Sequence, residues 1–349
     1  MIREPRVTVL MPCYNAELYL VEAIESIINQ TYRNLEILLI DDGSKDATRE
    51  MIENYAIKDS RIIPVYNERN LGLIRTLNKG VKLASGEFIA RMDADDISVL
   101  SRIEKMIQVF LEHPEIDVMS ASYFHISPSG KVLRRNFPKA TTSKALQFVS
   151  FFCTPVIHPC VIAKTSVLKA NAFDEEYIHS EDYEIFSRLL MNGYNFLNLM
   201  EPLYFLRMNT LSVSYKFERI QISTHTRISQ RNIENYFGAK FDFFLHKVMI
   251  NRISFSVSFS MLNEAIKTLQ NLKMQFLERE KPKVSEINQI DEFLTEQFID
   301  IYFQSLKSAD WYYKPIIVLT IFLNIKTFLS RRGRQYMRSK LSFLPVKED

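Results

Sequence analysis

The feature that most constrains the fold is an alternation of short apolar runs and helical patterns in the N-terminal part of the chain. Four runs rich in aliphatic side chains are predicted to be buried strands: residues 7–11, 35–40, 61–65 and 86–90. Between them, apolar residues recur at helical spacing, as at Leu20, Ile24 and Ile27. This alternation predicts an α/β fold, a mostly parallel sheet with helices on both faces.

Polar side chains collect where the predicted strands end. Tyr14 follows the first strand, Asp41 and Asp42 follow the second, and Asp93 to Asp96 follow the fourth. The carboxyl ends of parallel strands meet at one edge of an open sheet, and such folds bind their ligands there. The pattern therefore predicts a single ligand cleft.

The last of these groups contains three carboxylates, Asp93, Asp95 and Asp96. A cation would relieve their mutual repulsion, and carboxylate oxygens suit Mg²⁺ or Mn²⁺ that also binds phosphate. The alternative is a solvated acidic loop that caps a helix, since residues 97–102 are predicted to begin one. Asp96 is assigned no role beyond that of a cap.

Glycine-rich phosphate loops do not follow these strands. The first loop contains Tyr14 and lacks the Gly-x-Gly-x-x-Gly pattern, which argues against NAD, and no Gly-Lys-Ser/Thr motif occurs. An aromatic side chain in this loop is suited to stacking on a nucleobase, and an aspartate to accepting a hydrogen bond from a ring N–H. Phosphates would then be held by the metal rather than by a glycine-rich loop.

Cysteine usage indicates a reducing compartment. Cys13, Cys153 and Cys160 are odd in number and have no metal-ligand spacing, so free thiols are expected. Residues 1–6 lead directly into a strand-like run, so no secretion signal is expected. The longest apolar run, residues 316–325, is too short to span a membrane.

The following part of the chain adds further candidates. Strands are predicted at residues 118–126, 195–199 and 203–207, and a helix at residues 141–152. His158 lies between a loop and a strand. Ser180 is positioned to cap the next helix, whose dipole favours Glu181 and Asp182 in its first turn.

The ordered set of motifs resembles family-2 glycosyltransferases of the GT-A fold. The motifs are Pro12-x-Tyr14-Asn15-Ala16, Asp41-Asp42-Gly43-Ser44, Asn70-x-Gly72, Gly86-Glu87-Phe88-Ile89-Ala90 and Asp93-Ala94-Asp95-Asp96. Asp182 and Arg207 continue the resemblance, which covers about residues 5–215. The sequence at residues 91–97 is most similar to bacterial enzymes that build lipopolysaccharide or capsule sugars.

The resemblance implies a donor-binding role for each matching residue. Tyr14 would stack on the uracil of a UDP-sugar, Pro12 would shape its loop, and Asp42 would accept from uracil N3–H. Asp93 would contact the ribose, and Asp95 would bind the Mn²⁺ or Mg²⁺ that bridges the phosphates. The alternatives are an ordinary packed aromatic for Tyr14 and a turn or helix cap for Asp42.

The resemblance also implies residues for catalysis and for the acceptor. Inversion requires a base on the acceptor hydroxyl, and Asp182 matches that position, with Glu181 as the weaker candidate and capping as the alternative. His158 belongs to a His-Pro pair common in bacterial relatives, and would face the acceptor or the donor phosphate or be a structural histidine. Arg207 would bind phosphate or form a surface salt bridge. Asn209 stands where many relatives carry a histidine, which implies weaker metal binding.

Charge distinguishes the C-terminal part of the chain. Residues 1–220 carry 25 basic and 28 acidic side chains, whereas residues 221–349 carry 19 and 13. We predict a catalytic domain at 1–215, with a nucleotide-sugar half at about 1–98 and an acceptor half at about 99–215. Residues 216–349 are predicted to be helical. Their end combines aromatic, apolar and basic residues, which suits either a helix on an anionic membrane surface or one packed on the catalytic domain.

These expectations describe an inverting, metal-dependent glycosyltransferase that uses a UDP-sugar. Its expected acceptor is a growing bacterial glycolipid or polysaccharide, in lipopolysaccharide or capsule biosynthesis, at the cytoplasmic face of the membrane. The alternatives are a polyprenyl-phosphate sugar synthase and a catalytically inactive sugar-binding relative. Nucleic acid is not an expected partner, because the basic residues form no recognised binding module.

Overall fold

A computed structural model of the chain describes residues 4–208, 217–253, 255 and 257–308. The described strands are β1 (Val7–Cys13), β2 (Leu35–Asp41), β3 (Ile62–Tyr66), β4 (Phe88–Arg91), β5 (Ile97–Ser98), β6 (Val118–Ile126), β7 (Val132–Asn136), β8 (Ile162–Lys164) and β9 (Phe196–Arg207). The helices up to the end of β9 are α1 (Leu20–Ile28), α2 (Thr48–Lys58), α3 (Leu73–Leu83), α4 (Arg102–Glu112), α5 (Ser143–Val149), α6 (Thr165–Ala170) and α7 (Glu181–Met191). Those after it are α8 (Glu218–Phe237), α9 (Phe243–Met249), α10 (Phe259–Glu280) and α11 (Val284–Ser308).

The strands form one mixed sheet in the order β3-β2-β1-β4-β8-β6-β9-β5, with β7 paired to β6. The first four strands of that order are parallel, as predicted. β8 runs antiparallel to both β4 and β6, whereas β9 runs parallel to β6. The carboxyl ends of β2, β1 and β4 therefore lie side by side at one edge.

Helices cover both faces of the sheet. Successive side chains of a strand point to opposite faces, so neighbouring residues of β1 contact different helices. Val9 and Met11 of β1 belong to a buried cluster that includes Ile24 of α1 and Ile107 of α4. Leu10 instead meets α3, where the space above Gly80 is filled by the Leu10 side chain. This arrangement confirms the predicted α/β class.

The start of β4 depends on a close approach between backbones. A Cβ atom on Gly86 would lie 2.6 Å from the Thr8 nitrogen and 2.8 Å from the Arg6 carbonyl oxygen. Buried Glu36 accepts from the Thr8 hydroxyl at 2.7 Å and from the Ser85 backbone N–H at 2.9 Å. These contacts hold β4 against β1 and so position the acidic loop that follows it.

The helix predicted from residue 97 begins later, because residues 97–101 are not helical. Ile97 and Ser98 form β5, which pairs antiparallel with Phe205 and Tyr204 of β9. The backbone N–H of Ser98 also donates to the Ser26 hydroxyl at 3.1 Å. These tertiary bonds outweigh the local helical preference, so α4 begins only at Arg102.

The chain divides into two compact units. Unit 1 comprises Met1–Ser143 and Thr154–Thr224, and contains the whole sheet. Unit 2 comprises Lys144–Cys153 and His225–Asp349. Residues 144–153, which the sequence analysis includes in the catalytic domain, thus belong to the helical unit.

Unit 2 has an aromatic core. The ring of Phe148 packs against Phe152, Phe276 and Phe293, with centroids 5.4, 5.3 and 6.3 Å away. No helix in the described part of the chain is long and apolar enough to cross a membrane. The predicted membrane-associated tail, residues 311–340, lies outside the described residues.

A buried polar chain crosses this core. The Ser229 hydroxyl donates to the Phe151 carbonyl, and Nε2 of His246 lies 3.1 Å from that hydroxyl. Since the serine proton is already donated, Nε2 must carry a proton and donate in turn. Both the neutral Nε2–H tautomer and the imidazolium can make this bond, and burial of the ring favours the neutral form.

This burial predicts a pH-dependent stability of unit 2. Burial lowers the pKa of His246 to about 4, against about 6.5 for a free imidazole. Between pH about 4 and about 6.5, His246 is therefore protonated in the unfolded chain but neutral in the folded unit. Stability should be full above pH about 6.5 and fall by on the order of 3 kcal/mol as pH approaches about 4.

Amide hydrogen exchange in Phe259–Glu280 would measure this change. His246→Gln, which keeps a donor for Ser229, should flatten the pH dependence. His113→Gln, at an exposed position in unit 1, should leave it unchanged. An unaltered pH dependence in His246→Gln would contradict the assignment.

Candidate active site

The acidic stretch forms a compact carboxylate cluster on the loop after β4. Oxygen atoms of Asp93, Asp95 and Asp96 all lie within 4.8 Å of one another. Burial, followed by repulsion from Asp93, raises the pKa of Asp95 to about 6. The same two causes raise the pKa of Asp96 well above its ordinary value. The three carboxylates therefore destabilise one another as anions.

Asp96 is buried and bonded from two directions by β9. Its Oδ1 accepts from the backbone N–H of Arg207 at 2.7 Å, and it is also hydrogen-bonded to the Tyr204 hydroxyl. The suggested capping role is wrong, because Ser101 occupies the position before α4. Asp96 instead fixes the loop onto β9.

Arg207 braces the same loop and is itself buried. Its Nε donates to the Asp95 carbonyl at 2.7 Å and its Nη1 to the Pro128 carbonyl at 2.8 Å. Its Nη2 pairs with Glu22 at 2.7 Å, and the guanidinium lies 4.3 Å from the Tyr19 ring centroid. In this conformation all three guanidinium nitrogens are engaged within the protein, and the donor-binding role expected of Arg207 stays a prediction.

A second buried arginine lies beside the cluster. Nη1 of Arg91, at the end of β4, is 2.5 Å from Oδ1 of Asp93. Its charge also lowers the pKa of Asp95, against the larger effects of burial and Asp93. Arg91 thus offsets part of the repulsion, and the sequence analysis assigned it no role.

Charge and exposure decide whether these residues suit a divalent cation. The carboxylate of Asp96 already accepts hydrogen bonds from Arg207 and Tyr204, whereas Asp93 and Asp95 are partly exposed. Mg²⁺ and Mn²⁺ sites commonly use one or two carboxylates and complete their shell with water and phosphate oxygens. The cluster fits such a cation, with Asp95 and Asp93 as its candidate protein ligands.

A cavity of about 410 Å³ opens at the ends of β1 and β2. Tyr14 lines it with its side chain 47% exposed, so the ring is not an ordinary packed aromatic. Pro12 lies just before it, within β1 opposite Ile40. The cavity is also lined by Asp41, Gly43, Ser44, Lys45, Arg49, Asn67, Glu68, Arg69 and Asn70.

Asp42 is placed differently from the sequence expectation. Its Oδ1 accepts from Asn67 Nδ2 at 2.7 Å and from the Leu71 N–H at 2.9 Å. Its Oδ2 accepts from the Gly72 N–H at 3.0 Å. The buried carboxylate thus ties the loop after β2 to the loop before α3, while its neighbour Asp41 lines the cavity.

The end of β1, where Cys13 lies, is between the end of β2 and the loop after β4 in the sheet. After burial, the largest effects that raise the pKa of this thiol come from Asp41 and then Asp93. Cys13 itself pairs with Asp41 in the β1–β2 register. The predicted convergence of strand ends therefore extends from Tyr14 and Asp41 to Asp93.

Two acidic residues begin α7 and lie within electrostatic reach of the cluster. Burial, followed by Asp182, raises the pKa of Glu181 to about 7, and burial raises that of Asp182. Arg91 lowers and Asp93 raises both values. Ser180 precedes the helix but makes no side-chain cap, whereas Asp182 Oδ1 accepts from the Tyr183 N–H at 2.7 Å.

His158 is buried in a 3-10 turn rather than in the open cleft. Its ring packs against Phe173 and Phe186, with centroids 5.4 and 5.6 Å away. Burial, followed by the nearby charge of Arg91, lowers its pKa well below the ordinary range. The placement favours a structural histidine. Asn209 lies outside the described residues.

Sequence reasoning missed Arg91, Tyr204 and Glu22. Arg91 could have been found from the sequence, because it follows a predicted buried strand and comes directly before three carboxylates. Tyr204 and Glu22 carry no such signal, because they reach the site only through the pairing of β9 and the packing of α1.

Comparison with known proteins agrees with this geometry. The family model Glycosyl transferase family 2 matches residues 8–175. The chain is 35% identical over 188 residues to the Escherichia coli UDP-Glc:alpha-D-GlcNAc-diphosphoundecaprenol beta-1,3-glucosyltransferase WfgD, covering 54% of this chain and 70% of that enzyme.

Solved structures share the fold at low identity. S. aureus TarS 1-349 in complex with UDP-GlcNAc is similar with a TM-score of 0.54 and 19% identity, covering 96% of this chain and 92% of that one. The Pyrobaculum calidifontis mannosyltransferase PcManGT, in complex with GDP-Man and Mn²⁺, gives a TM-score of 0.50 and 15% identity, with 96% and 84% covered. These likenesses confirm the predicted GT-A fold.

The brace made by Arg207 predicts a loss of stability on substitution. Arg207→Lys retains the charge but cannot satisfy two carbonyl groups and Glu22 together. We expect a loss of about 2–3 kcal/mol in the free energy of unfolding, since hydrogen bonds to charged groups each contribute about that much. Denaturant unfolding of the full chain measures it.

Glu22→Gln is the matched control, because its half-exposed side chain remains an acceptor for Arg207. That variant should lose less than about 1 kcal/mol. If Arg207→Lys were as stable as the parent chain yet bound UDP poorly, Arg207 would act on phosphate rather than as a brace.

Proposed function

The chain belongs to glycosyl transferase family 2, and we propose that it transfers a sugar from a UDP-sugar to a lipid-linked acceptor with inversion at the anomeric carbon. One observation carries this proposal. The Tyr14 cavity lies at the ends of β1 and β2, and the carboxylate cluster follows β4, which pairs with β1, so a nucleobase site and a metal-diphosphate site would be adjacent. A nucleoside diphosphate needs both.

The donor base is proposed to stack on Tyr14, whose ring is exposed at the cavity. Asp41 also lines this cavity. Asp41 and Asp42 are the two candidates for accepting a hydrogen bond from the ring N–H of the base. WfgD by its name uses UDP-Glc, and TarS binds UDP-GlcNAc. Both support a UDP-sugar as the donor class.

Asp93 and Asp95 are proposed to hold the divalent cation. When bound, it would offset the negative charge that develops on the departing diphosphate. PcManGT binds Mn²⁺ with its donor, which supports the choice of Mn²⁺ or Mg²⁺. Arg91 and Arg207 keep the carboxylates positioned by bonding Asp93 and the Asp95 backbone.

Asp182 is proposed as the general base. One carboxylate oxygen accepts from the Tyr183 N–H, which orients the group. Burial raises its pKa and so its proton affinity, while the Arg91 charge favours the ionised form that a base requires. The acceptor hydroxyl would lose its proton to Asp182 as its oxygen bonds to the anomeric carbon, and the bond from that carbon to the diphosphate breaks.

The acceptor is proposed to be a lipid-linked saccharide in lipopolysaccharide or capsule synthesis. WfgD, by its name, acts on a sugar linked to diphosphoundecaprenol. Such an acceptor would place the enzyme at the cytoplasmic surface of the membrane as a peripheral protein. Release of UDP from a panel of UDP-sugars, with extracted lipid acceptors and with polyprenyl phosphate in separate reactions, tests donor and acceptor class together.

Asp182→Asn should reduce transfer by about 10²- to 10⁴-fold, the usual contribution of a general base. UDP binding should be nearly unchanged, because the substituted amide would leave the cavity and the cluster intact. Product formation and calorimetric titration with UDP measure the two properties separately.

Glu50→Gln serves as the control, since Glu50 is an exposed acid on α2 that is not among the residues lining the cavity. It should leave both properties unaltered. Transfer at the parental rate by Asp182→Asn would remove the assignment of the base.

Asp95→Asn should raise the Mn²⁺ concentration needed for half-maximal UDP binding by at least about tenfold. The neutral amide binds the cation more weakly and also removes repulsion within the cluster. Calorimetry of UDP binding across a Mn²⁺ series measures the shift, with the parent chain in chelator as the baseline. Metal dependence equal to that of the parent would argue against Asp95 as a ligand.

A further inference from the structure

A hairpin of unit 1 combines exposed apolar residues with an unusual excess of positive charge. Residues 118–173 contain seven basic side chains and no aspartate or glutamate. Four of the seven lie in the hairpin segment of residues 127–139: Lys131, Arg134, Arg135 and Lys139. We name this segment the basic hairpin.

The apolar side chains of the basic hairpin are half exposed. Val132 is 50%, Leu133 55% and Phe137 44% exposed. Within the described chain, β7 pairs only with β6, so its outer edge faces away from the sheet. A bare apolar edge strand invites aggregation, and positive charge is one way to prevent it.

Protection against aggregation does not by itself account for the arrangement. Neighbouring residues of a strand point to opposite faces, so Val132 and Leu133 expose apolar surface on both sides of β7. A rigid partner would cover only one face of β7, whereas both faces can insert into a fluid layer of lipid headgroups. Long basic side chains beside them suit that layer, because their stems lie in it while their charges meet anionic headgroups.

The basic hairpin is joined to the active site by short bonds. Nη1 of Arg207 donates to the Pro128 carbonyl in its turn, and Nε of Arg207 donates to Asp95. Nη2 of Arg135 donates to the Met200 carbonyl of β9 at 2.6 Å, and its guanidinium lies 4.3 Å from the Phe137 ring centroid. Through Arg207 the hairpin is thus bonded to the same side chain that bonds the carboxylate loop.

We propose that the basic hairpin is a membrane-contact surface that seats the catalytic unit on an anionic lipid bilayer. Negative headgroups complement its four cations, and Val132, Leu133 and Phe137 enter the headgroup region. The proposal gives the lipid-linked acceptor proposed above a route to the active site, but its test does not depend on that acceptor.

The test is sedimentation of the full chain with vesicles of phosphatidylcholine alone or mixed with phosphatidylglycerol. The variant Val132→Ser/Leu133→Ser should bind the anionic vesicles at least about tenfold more weakly, because it removes apolar surface that would enter the headgroup region. The fold should be retained, because both side chains are half exposed and neither makes an internal hydrogen bond. Lys131→Gln should weaken binding to the anionic vesicles several-fold, with a smaller salt dependence.

The matched control is Ile57→Ser/Leu83→Ser, which removes two exposed apolar side chains from α2 and α3 of the same unit. It should sediment like the parent chain. Parental binding by Val132→Ser/Leu133→Ser would overturn the proposal and assign any membrane binding to another surface.

Amide exchange supplies a second readout that needs no variant. Anionic vesicles should slow exchange in residues 131–137, whereas inorganic polyphosphate should slow it much less. Equal protection by polyphosphate would show a site for soluble polyanions and overturn the proposal, as would unchanged exchange with vesicles. The rate of UDP release with a water-soluble acceptor should be the same for the parent chain and the Val132→Ser/Leu133→Ser variant. A failure of the proposed transfer activity can therefore be distinguished from a failure of membrane contact.

Discussion

Electrostatic repulsion among Asp93, Asp95 and Asp96 is the constraint on which the catalytic unit depends. Three carboxylates within 4.8 Å are unfavourable unless cations or hydrogen-bond donors oppose them. Two buried arginines supply much of that compensation, Arg91 from β4 and Arg207 from β9. Burying such charges is costly, and only paired, fixed geometry makes it tolerable. The acidic loop is therefore tied to both β4 and β9.

The same compensation explains how distant parts of the chain form one site. β4 supplies the cluster, β9 supplies its donors, and α7 brings Glu181 and Asp182 within reach of the Arg91 charge. Parallel pairing of β1 with β2 and β4 sets the Tyr14 cavity beside this assembly. The Tyr14 cavity, the carboxylate cluster and the acidic start of α7 are thus brought together, and these are the three features on which the proposed sugar transfer depends.

Much of this arrangement was predictable because it follows from local patterns. Buried aliphatic runs specify the strands, and the alternation with helices specifies parallel pairing. The position of Asp182 at a helix start was likewise evident from its neighbours. The helix predicted from residue 97 failed where tertiary contacts override such patterns, because Ser98 bonds to Ser26 and pairs with β9. The partners of Asp42, which are Asn67, Leu71 and Gly72, were likewise not evident from local sequence.

Local sequence patterns specify the fold class and the edge of the sheet at which the carboxylates of Asp93, Asp95 and Asp96 meet. Periodicity and strand order are properties of short segments, so they need no knowledge of distant partners. The use of each polar group depends instead on tertiary contacts. Arg207 is directed inward as a brace, His158 is enclosed by Phe173 and Phe186, and Asp96 is bound to β9. Burial and hydrogen-bond partners depend on segments far apart in the chain, and no local pattern specifies them.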